Sequence, residues 1–378
     1  MPRMRTRRLG LTAALTVGPI AVWRFAQAYR ARAGYPHRHV PDHDPSSLGL
    51  AFEEVSIPSG GVDLPAWWIP ARGGERGPAV VLIHGWESAR DRTLPNALIL
   101  NSIGMHVLTL DVRGHGANPA EELPLTAGEF GDDALAGVRR LLARPDVTAV
   151  RVMGHSMGGI GALLAAAAEP RVQAVVAAST PADPYRLTRQ TFRLARLPIP
   201  GPFAWPLAWL TTHVFLQPRG HTVKGVSAAQ AIEAYTGPVL LIHGDADRVV
   251  PIAHLSTLER AAWRSRDDEP GVGEVEVLVI PGGEHSWLYE FPAYRAAVAR
   301  FLTGAFGGPL PVADAEMIAR ATPATRLPQR EHPFSAIEPE VGGLRTLAKA
   351  IRLAGGSKIE ADEAAVITPT VSSAEEPA

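Results

Sequence analysis

The sequence predicts an α/β fold: a doubly wound, mostly parallel sheet with a helical lid insertion. Three observations carry this. Continuous apolar runs of strand length recur along the chain, at Ala79–Ile83, Met105–Leu110, Val147–Met153, Val172–Ala177, Val239–Ile242 and Val275–Ile280. Runs without alternation suit strands buried on both faces, as in parallel sheets. Helical stretches separate them, and strands alternating with helices wind a parallel sheet. Finally, the residues able to do chemistry cluster just after these runs, and ligands in such sheets bind at the carboxyl ends of the strands.

The chain has 378 residues, 46% hydrophobic and 20% charged, which is enough for a large core in one or two domains. A formal net charge of −1 gives no steering toward nucleic acid. Cysteine is absent, which excludes disulfides, thiolate nucleophiles and cysteine-ligated metals.

Residues 1–40 read as lying outside the fold. Arg3, Arg5, Arg7 and Arg8 precede an apolar run from Leu9 to Trp23, the order of a signal peptide, and Ala26-Gln27-Ala28 offers a cleavage site. The rival is an uncleaved membrane anchor, although the run is short of the roughly 20 apolar residues of a span. Either places the protein at or across a membrane; a cytoplasmic protein with this helix on its body is the runner-up. His37, His39 and His43, with Asp42 and Asp44, lie in a proline-broken linker without the framework a metal site needs. No metal or other cofactor is expected.

The globular part is expected over 48–306. Ala51 to Ile57 and Val62 to Ile69 flank Ser59-Gly60-Gly61, a hairpin signal. The strand at Ala79–Ile83 ends in His84-Gly85-Trp86, and a helix is expected from Leu94 to Ile103. The strand at Met105–Leu110 ends in Asp111-Val112-Arg113-Gly114-His115-Gly116. Phe130, Ala134, Leu135, Val138, Leu141 and Leu142 recur at helical spacing, with acids in the first turn and arginines in the last. About sixty residues then separate the strand ending near Ser179 from the one starting near Val239. They include Arg186, Arg189, Arg193, Phe203, Trp205, Trp209 and Phe215 among several prolines. So long an insertion at the functional edge is expected to be a lid, over about 181–236. Phe291 to Leu302 closes the fold as a helix. Composition shifts to proline, glycine, alanine and glutamate beyond it, and 308–378 reads as mostly disordered.

The chemistry centres on Gly154-His155-Ser156-Met157-Gly158. Gly-x-Ser-x-Gly between a strand and a helix is the pattern of a nucleophile elbow. Gly154 and Gly158 remove side chains that the sharp turn would bring into collision. The Met157 N–H points from the N-terminus of the next helix, where negative charge is favoured. A nucleophilic serine needs a base, an acid to orient that base, and an oxyanion hole. His285, in a glycine-loosened loop after the last strand, is the base. His243-Gly244-Asp245-Ala246-Asp247 supplies the acid, and spacing alone leaves Asp245 and Asp247 both open. The second oxyanion donor is the Trp86 N–H.

The order serine, aspartate, histidine is that of the α/β hydrolases. From about residue 50 to 305 the chain resembles that superfamily. It looks most like the serine-aminopeptidase and monoglyceride-lipase-like branch, including bacterial membrane-anchored members. The resemblance rests on Trp67-Trp68-Ile69, His84-Gly85-Trp86, Asp111–Gly116, Gly154–Gly159, His243–Asp247 and Gly283-Glu284-His285. It places the acid at Asp247. It implies a cofactor-free serine hydrolase whose partner is a small ester or other acyl substrate, with an apolar acyl group favoured by the aromatic lid. Peptidase, amidase, thioesterase or acyltransferase chemistry would use the same residues. A catalytically silent, membrane-tethered binding protein is the alternative of a different class.

Overall fold

A computed structural model describes residues 18–31, 33–73, 76–194, 197, 199–264, 266, 273–304 and 308–328. Strands β1 (Glu53–Ser59) and β2 (Val62–Ile69) form the hairpin, with Gly60 and Gly61 at φ 52° and 86° in its turn. Two successive positive-φ residues match the twist of paired strands. The remaining strands are β3 (Gly77–Ile83), β4 (His106–Leu110), β5 (Val147–His155), β6 (Val172–Ala178), β7 (Val239–Gly244) and β8 (Val275–Ile280). They form one sheet in the order β1-β2-β4-β3-β5-β6-β7-β8. Pairing is antiparallel at β1–β2 and β2–β4 and parallel from β4 to β8.

Every residue of β3 and β4 is buried, His106 and Thr109 of β4 included. One apolar cluster joins the sheet to α3 (Ala127–Leu142), α4 (Met157–Ala168), α7 (Ala228–Ala234) and α8 (Ala253–Arg264). A second joins it to α2 (Leu94–Ser102), α9 (Pro292–Gly304) and α10 (Val312–Ala321). Helices on both faces make the sheet doubly wound. Thr126 caps α3 in a capping box with Glu129, and Phe130, Ala134, Val138 and Leu141 of that helix are buried. Such a cap is worth about 1 kcal/mol.

Three boundaries differ from the sequence expectation. Helix α1 (18–31) does not stand apart. Ala26 and Ala28 are buried, and the Phe25 and Tyr29 rings pack on Phe192. The chain after it stays attached: Leu125 donates to Gly34 O at 2.7 Å, and Arg38 bonds to Asn118 O. Small and aromatic residues recurring four apart give α1 a docking face that the basic-then-apolar order concealed. No described helix is long and apolar enough to cross a membrane. Residues 1–17, which hold the four leading arginines, lie outside the described residues.

The insertion between β6 and β7 is the second difference. It contains α5 (Pro184–Leu194), α6 (Gly201–Leu216), a 3-10 turn at Gln217–Arg219 and α7. Only α5 and α6 stand out from the body. The expected span of 181–236 is too wide, because Ala228, Ala231 and Ile232 bury α7 in the core. On α6, Phe203, Trp205 and Trp209 are exposed. Third, order continues past 306: Ala315 and Ala319 bury α10 beneath α9 and α2. Alanines four apart let two helices approach closely, a signal that the change in composition masked. Residues 329–378 lie outside the described residues.

Candidate active site

Strand β5 delivers Ser156 to the N-terminus of α4, at φ 55° and ψ −119°. A non-glycine residue at positive φ is strained and persists only where its surroundings impose it. Here the surroundings are tight. A Cβ on residue 154 would lie 2.0 Å from Gly158 O, and one on residue 158 would lie 2.3 Å from Ile83 O. Only glycine fits either position. The Ser156 N–H donates to Ala178 O on β6 at 2.9 Å, tying the elbow to the sheet.

Ser156 Oγ lies 3.1 Å from His285 Nε2, and His285 Nδ1 lies 2.8 Å from Asp247 Oδ2. The three residues come from the ends of β5, β7 and β8. The turns after β7 and β8 are zipped together, with Ala246 N–H donating to Gly283 O at 3.0 Å. Asp247 Oδ1 accepts from the Val249 and Val250 N–H groups at 2.9 and 2.8 Å. His243 Nε2 lies 3.3 Å from Oδ2. Burial on its own would raise the Asp247 pKa. Hydrogen bonds from His243, His285 and Val250 outweigh it and hold the carboxyl well below the usual carboxylate range. Asp247 is thus a fixed anion with one oxygen committed to its own turn and the other aimed at the imidazole. Asp245 plays a different part. It is exposed, and its Oδ1 accepts from Gly282 N–H at 2.7 Å, bracing the histidine loop.

The predicted oxyanion donors flank this group. Met157 is the first residue of α4. The Gly85–Trp86 loop runs beside the nucleophile, since a Cβ on Gly85 would be 3.4 Å from Ser156 Cβ. Two histidines, His84 buried and His155 partly so, hold the loops. His84 donates from Nδ1 to Gly85 O at 2.7 Å and accepts Val112 N–H at 3.0 Å. His155 donates from Nε2 to the His285 carbonyl at 2.6 Å, with the two rings 4.9 Å apart. Burial lowers both to about 4, so both are neutral at pH 7. The Asp111–Gly116 motif is scaffolding for the same edge. Asp111 accepts from Arg90 and Ala117 N–H groups, and Arg113 forms a buried ion pair with Asp133.

Ser156 and His285 open on a cavity of about 190 Å³, lined also by Trp86, Arg92, Asn96 and Trp287. A larger depression of about 1150 Å³ lies along the opposite sheet edge, at Val147, Val172 and Tyr235, remote from these side chains. Sequence reasoning overlooked His155, Arg92, Asn96 and Trp287. The i, i+4 spacing of Arg92 and Asn96 was the available signal for two of them. Among the described residues no group of three His, Cys, Asp or Glu is arranged to hold a metal.

A family model described as serine aminopeptidase, S33, matches residues 74–214. An uncharacterized protein of Mycobacterium tuberculosis is 27% identical over 309 residues, covering 80% of this chain and 98% of its own. The sn-1-specific diacylglycerol lipase ABHD11 of Xenopus tropicalis is 32% identical over 102 residues, covering 26% of this chain and 30% of that lipase. Among solved structures, the esterase Pf2001 of Pyrococcus furiosus superposes with a TM-score of 0.57 at 24% identity, covering 72% of this chain and 98% of the esterase. That last likeness is one of fold.

Proposed function

Because the chain is an α/β hydrolase, an enzyme of the esterase and lipase type, we propose that it cleaves carboxylic esters through Ser156, His285 and Asp247. The carrying observation is the continuous chain of contacts from Ser156 Oγ to His285 to Asp247, at 3.1 and 2.8 Å. Asp247 keeps the proton of neutral His285 on Nδ1 and leaves Nε2 free to accept. His285 takes the Ser156 proton as Oγ attacks the ester carbonyl. The Trp86 and Met157 N–H groups hold the oxyanion, each donor lowering the barrier by about 3 kcal/mol. His285 returns the proton to the leaving alcohol, and an acyl-Ser156 ester remains. Water deprotonated by His285 then releases the acid and restores the serine.

An ester is the less demanding substrate for this triad, because its alcohol can depart as His285 protonates it, whereas an amide nitrogen must be protonated before its C–N bond breaks and its carbonyl is less electrophilic. The test compares matched ester, thioester and aminoacyl-arylamide substrates on the wild type and on Ser156→Ala. Ester turnover that vanishes in the variant supports the reading. Faster arylamide than ester turnover would make the enzyme a peptidase.

The N-terminal segment is proposed to be retained and to hold the enzyme at a membrane surface. Removal after Ala28 would strip Phe25, Ala26 and Ala28 from their packing. Residues 1–41 and 184–232 contain no aspartate or glutamate, while α1 exposes Trp23 and α6 exposes Phe203, Trp205 and Trp209. Cationic, aromatic surface suits an anionic lipid interface. Intact mass of the protein from its native host decides retention: a mass lacking residues 1–28 contradicts it.

A further inference from the structure

Arg92 belongs to a 3-10 turn, Arg90–Thr93, that runs directly into α2. Asn96 follows four residues later, and residues so spaced project from the same side of a helix. Both line the cavity that holds Ser156 and His285.

Two arginines lie against the Trp287 ring, each with its guanidinium carbon 5.1 Å from the ring centroid. They differ in what else they meet. Arg326 gives Nε and Nη2 to the Glu290 carboxylate at 2.8 and 2.7 Å. Burial lowers the Arg92 pKa, the nearby charges of Asp91 and Asp42 partly offset this, and Arg92 makes no direct ion pair with a described carboxylate. Its sequence neighbour Asp91 spends Oδ2 on Asp42 N–H at 3.0 Å. Glu87, on the cavity wall, accepts from His37 N–H at 3.3 Å. Asn96 repeats the pattern. It hydrogen-bonds Tyr294, yet its buried Oδ1 has no partner. Turning the amide over would exchange which end is unsatisfied without satisfying both.

A partly desolvated cation without a directly bonded carboxylate costs stability, and so does an unmatched amide. Finding both in one small cavity beside a nucleophile is economical only if a ligand completes them. The guanidinium rests over the Trp287 ring, and its fork of donors suits a planar or tetrahedral anion.

We propose that Arg92, held on Trp287 and seconded by Asn96, is an anion-binding subsite of the active-site cavity. The preferred substrates are then esters that carry a carboxylate or a phosphate on the portion bound beside Ser156. This rests on the serine-hydrolase reading of the same cavity.

The experiment measures kcat and KM of the full chain on two matched pairs: mono-p-nitrophenyl glutarate against p-nitrophenyl pentanoate, and monobutyryl glycerol 3-phosphate against monobutyrin. The first pair places a carboxylate on the acyl side and the second a phosphate on the alcohol side of the scissile ester. Wild type should favour the charged member of at least one pair. Arg92→Gln should lower that charged-to-neutral ratio of kcat/KM by about tenfold or more, chiefly through KM. Arg92→Lys should lose less, since it keeps the charge but not the fork, and it serves if the glutamine variant does not fold. An unchanged ratio, an equal loss on all four esters, or a wild type indifferent to charge would overturn the subsite. Failure of folded wild type to be labelled by a fluorophosphonate would instead overturn the hydrolase reading.

Discussion

Replacing Asp247 by asparagine should cut kcat by roughly 10³–10⁴, equivalent to about 4–5.5 kcal/mol of barrier. The structure shows why so small a change costs so much. Oδ1 accepts two backbone donors, Val249 and Val250 N–H, at 2.9 and 2.8 Å. The asparagine must keep its oxygen there, because an NH₂ group would face two N–H groups. The amide nitrogen therefore falls where Oδ2 stands, 2.8 Å from His285 Nδ1. It can only donate, so Nδ1 must accept. The imidazole proton moves to Nε2, the atom 3.1 Å from Ser156 Oγ, and His285 can no longer receive the serine proton. The fold survives, since the turn keeps its hydrogen bonds. Asp245→Asn is the control. Its oxygen can still accept from Gly282 N–H, and the loss should stay within about tenfold. The assay is steady-state hydrolysis of a p-nitrophenyl ester, with circular dichroism as a check on folding. An Asp247→Asn enzyme within tenfold of wild type, or an Asp245→Asn enzyme more damaged than it, would refute the assignment of the acid.

His155→Phe removes the Nε2–H bond to the His285 carbonyl while filling the site, so kcat should fall by about tenfold with KM little changed; an unaltered kcat would show that the bond does not position the base. Acid should destabilise the fold as pH falls from about 6.5 to about 4. Burial lowers His84 and His155 to about 4, so over that window the unfolded chain binds more protons than the folded one. Asp111 opposes this, because burial raises it to about 6 and its protonation favours the folded state in the same window. Burial raises Asp91, Asp132 and Asp183 as well, and lowers His115 and His254 to about 3 and about 4. The histidines carry the larger shifts, and a Tm that rises on acidification across this range would contradict the account. Truncation of residues 1–40 exposes Phe192 and frees Leu125 N–H. It should lower the Tm and speed proteolysis within α5 and α6 while leaving the sheet folded; identical melting and cleavage would show that α1 is not part of the body.

The sheet was legible because its central strands are buried on both faces and are written as mostly apolar runs. The turn at Ser156 was legible because contacts of 2.0 and 2.3 Å leave no alternative to glycine at Gly154 and Gly158. Spacing did not choose between Asp245 and Asp247; only the family resemblance pointed to Asp247. Both sit in one polar turn, and which faces His285 depends on how the turns after β7 and β8 interlock across the sheet. The docking of α1 and of α10 escaped for a related reason. The buried face of α1 is a short alanine and aromatic pattern whose partner, Phe192, is distant in sequence, while α10 docks on its neighbour α9 through only two alanines, Ala315 and Ala319. The proposed subsite at Arg92 left only the i, i+4 spacing to Asn96 in the sequence, because its meaning depends on how Trp287 and the cavity wall close around it.

The most direct test of the central claim is covalent labelling by a fluorophosphonate, with the adduct located by peptide mass spectrometry in wild type, Ser156→Ala and His285→Ala. An activated serine predicts one stoichiometric adduct, on Ser156, in the wild type alone. Folded wild type that stays unlabelled, or an adduct that persists in Ser156→Ala, would contradict the account.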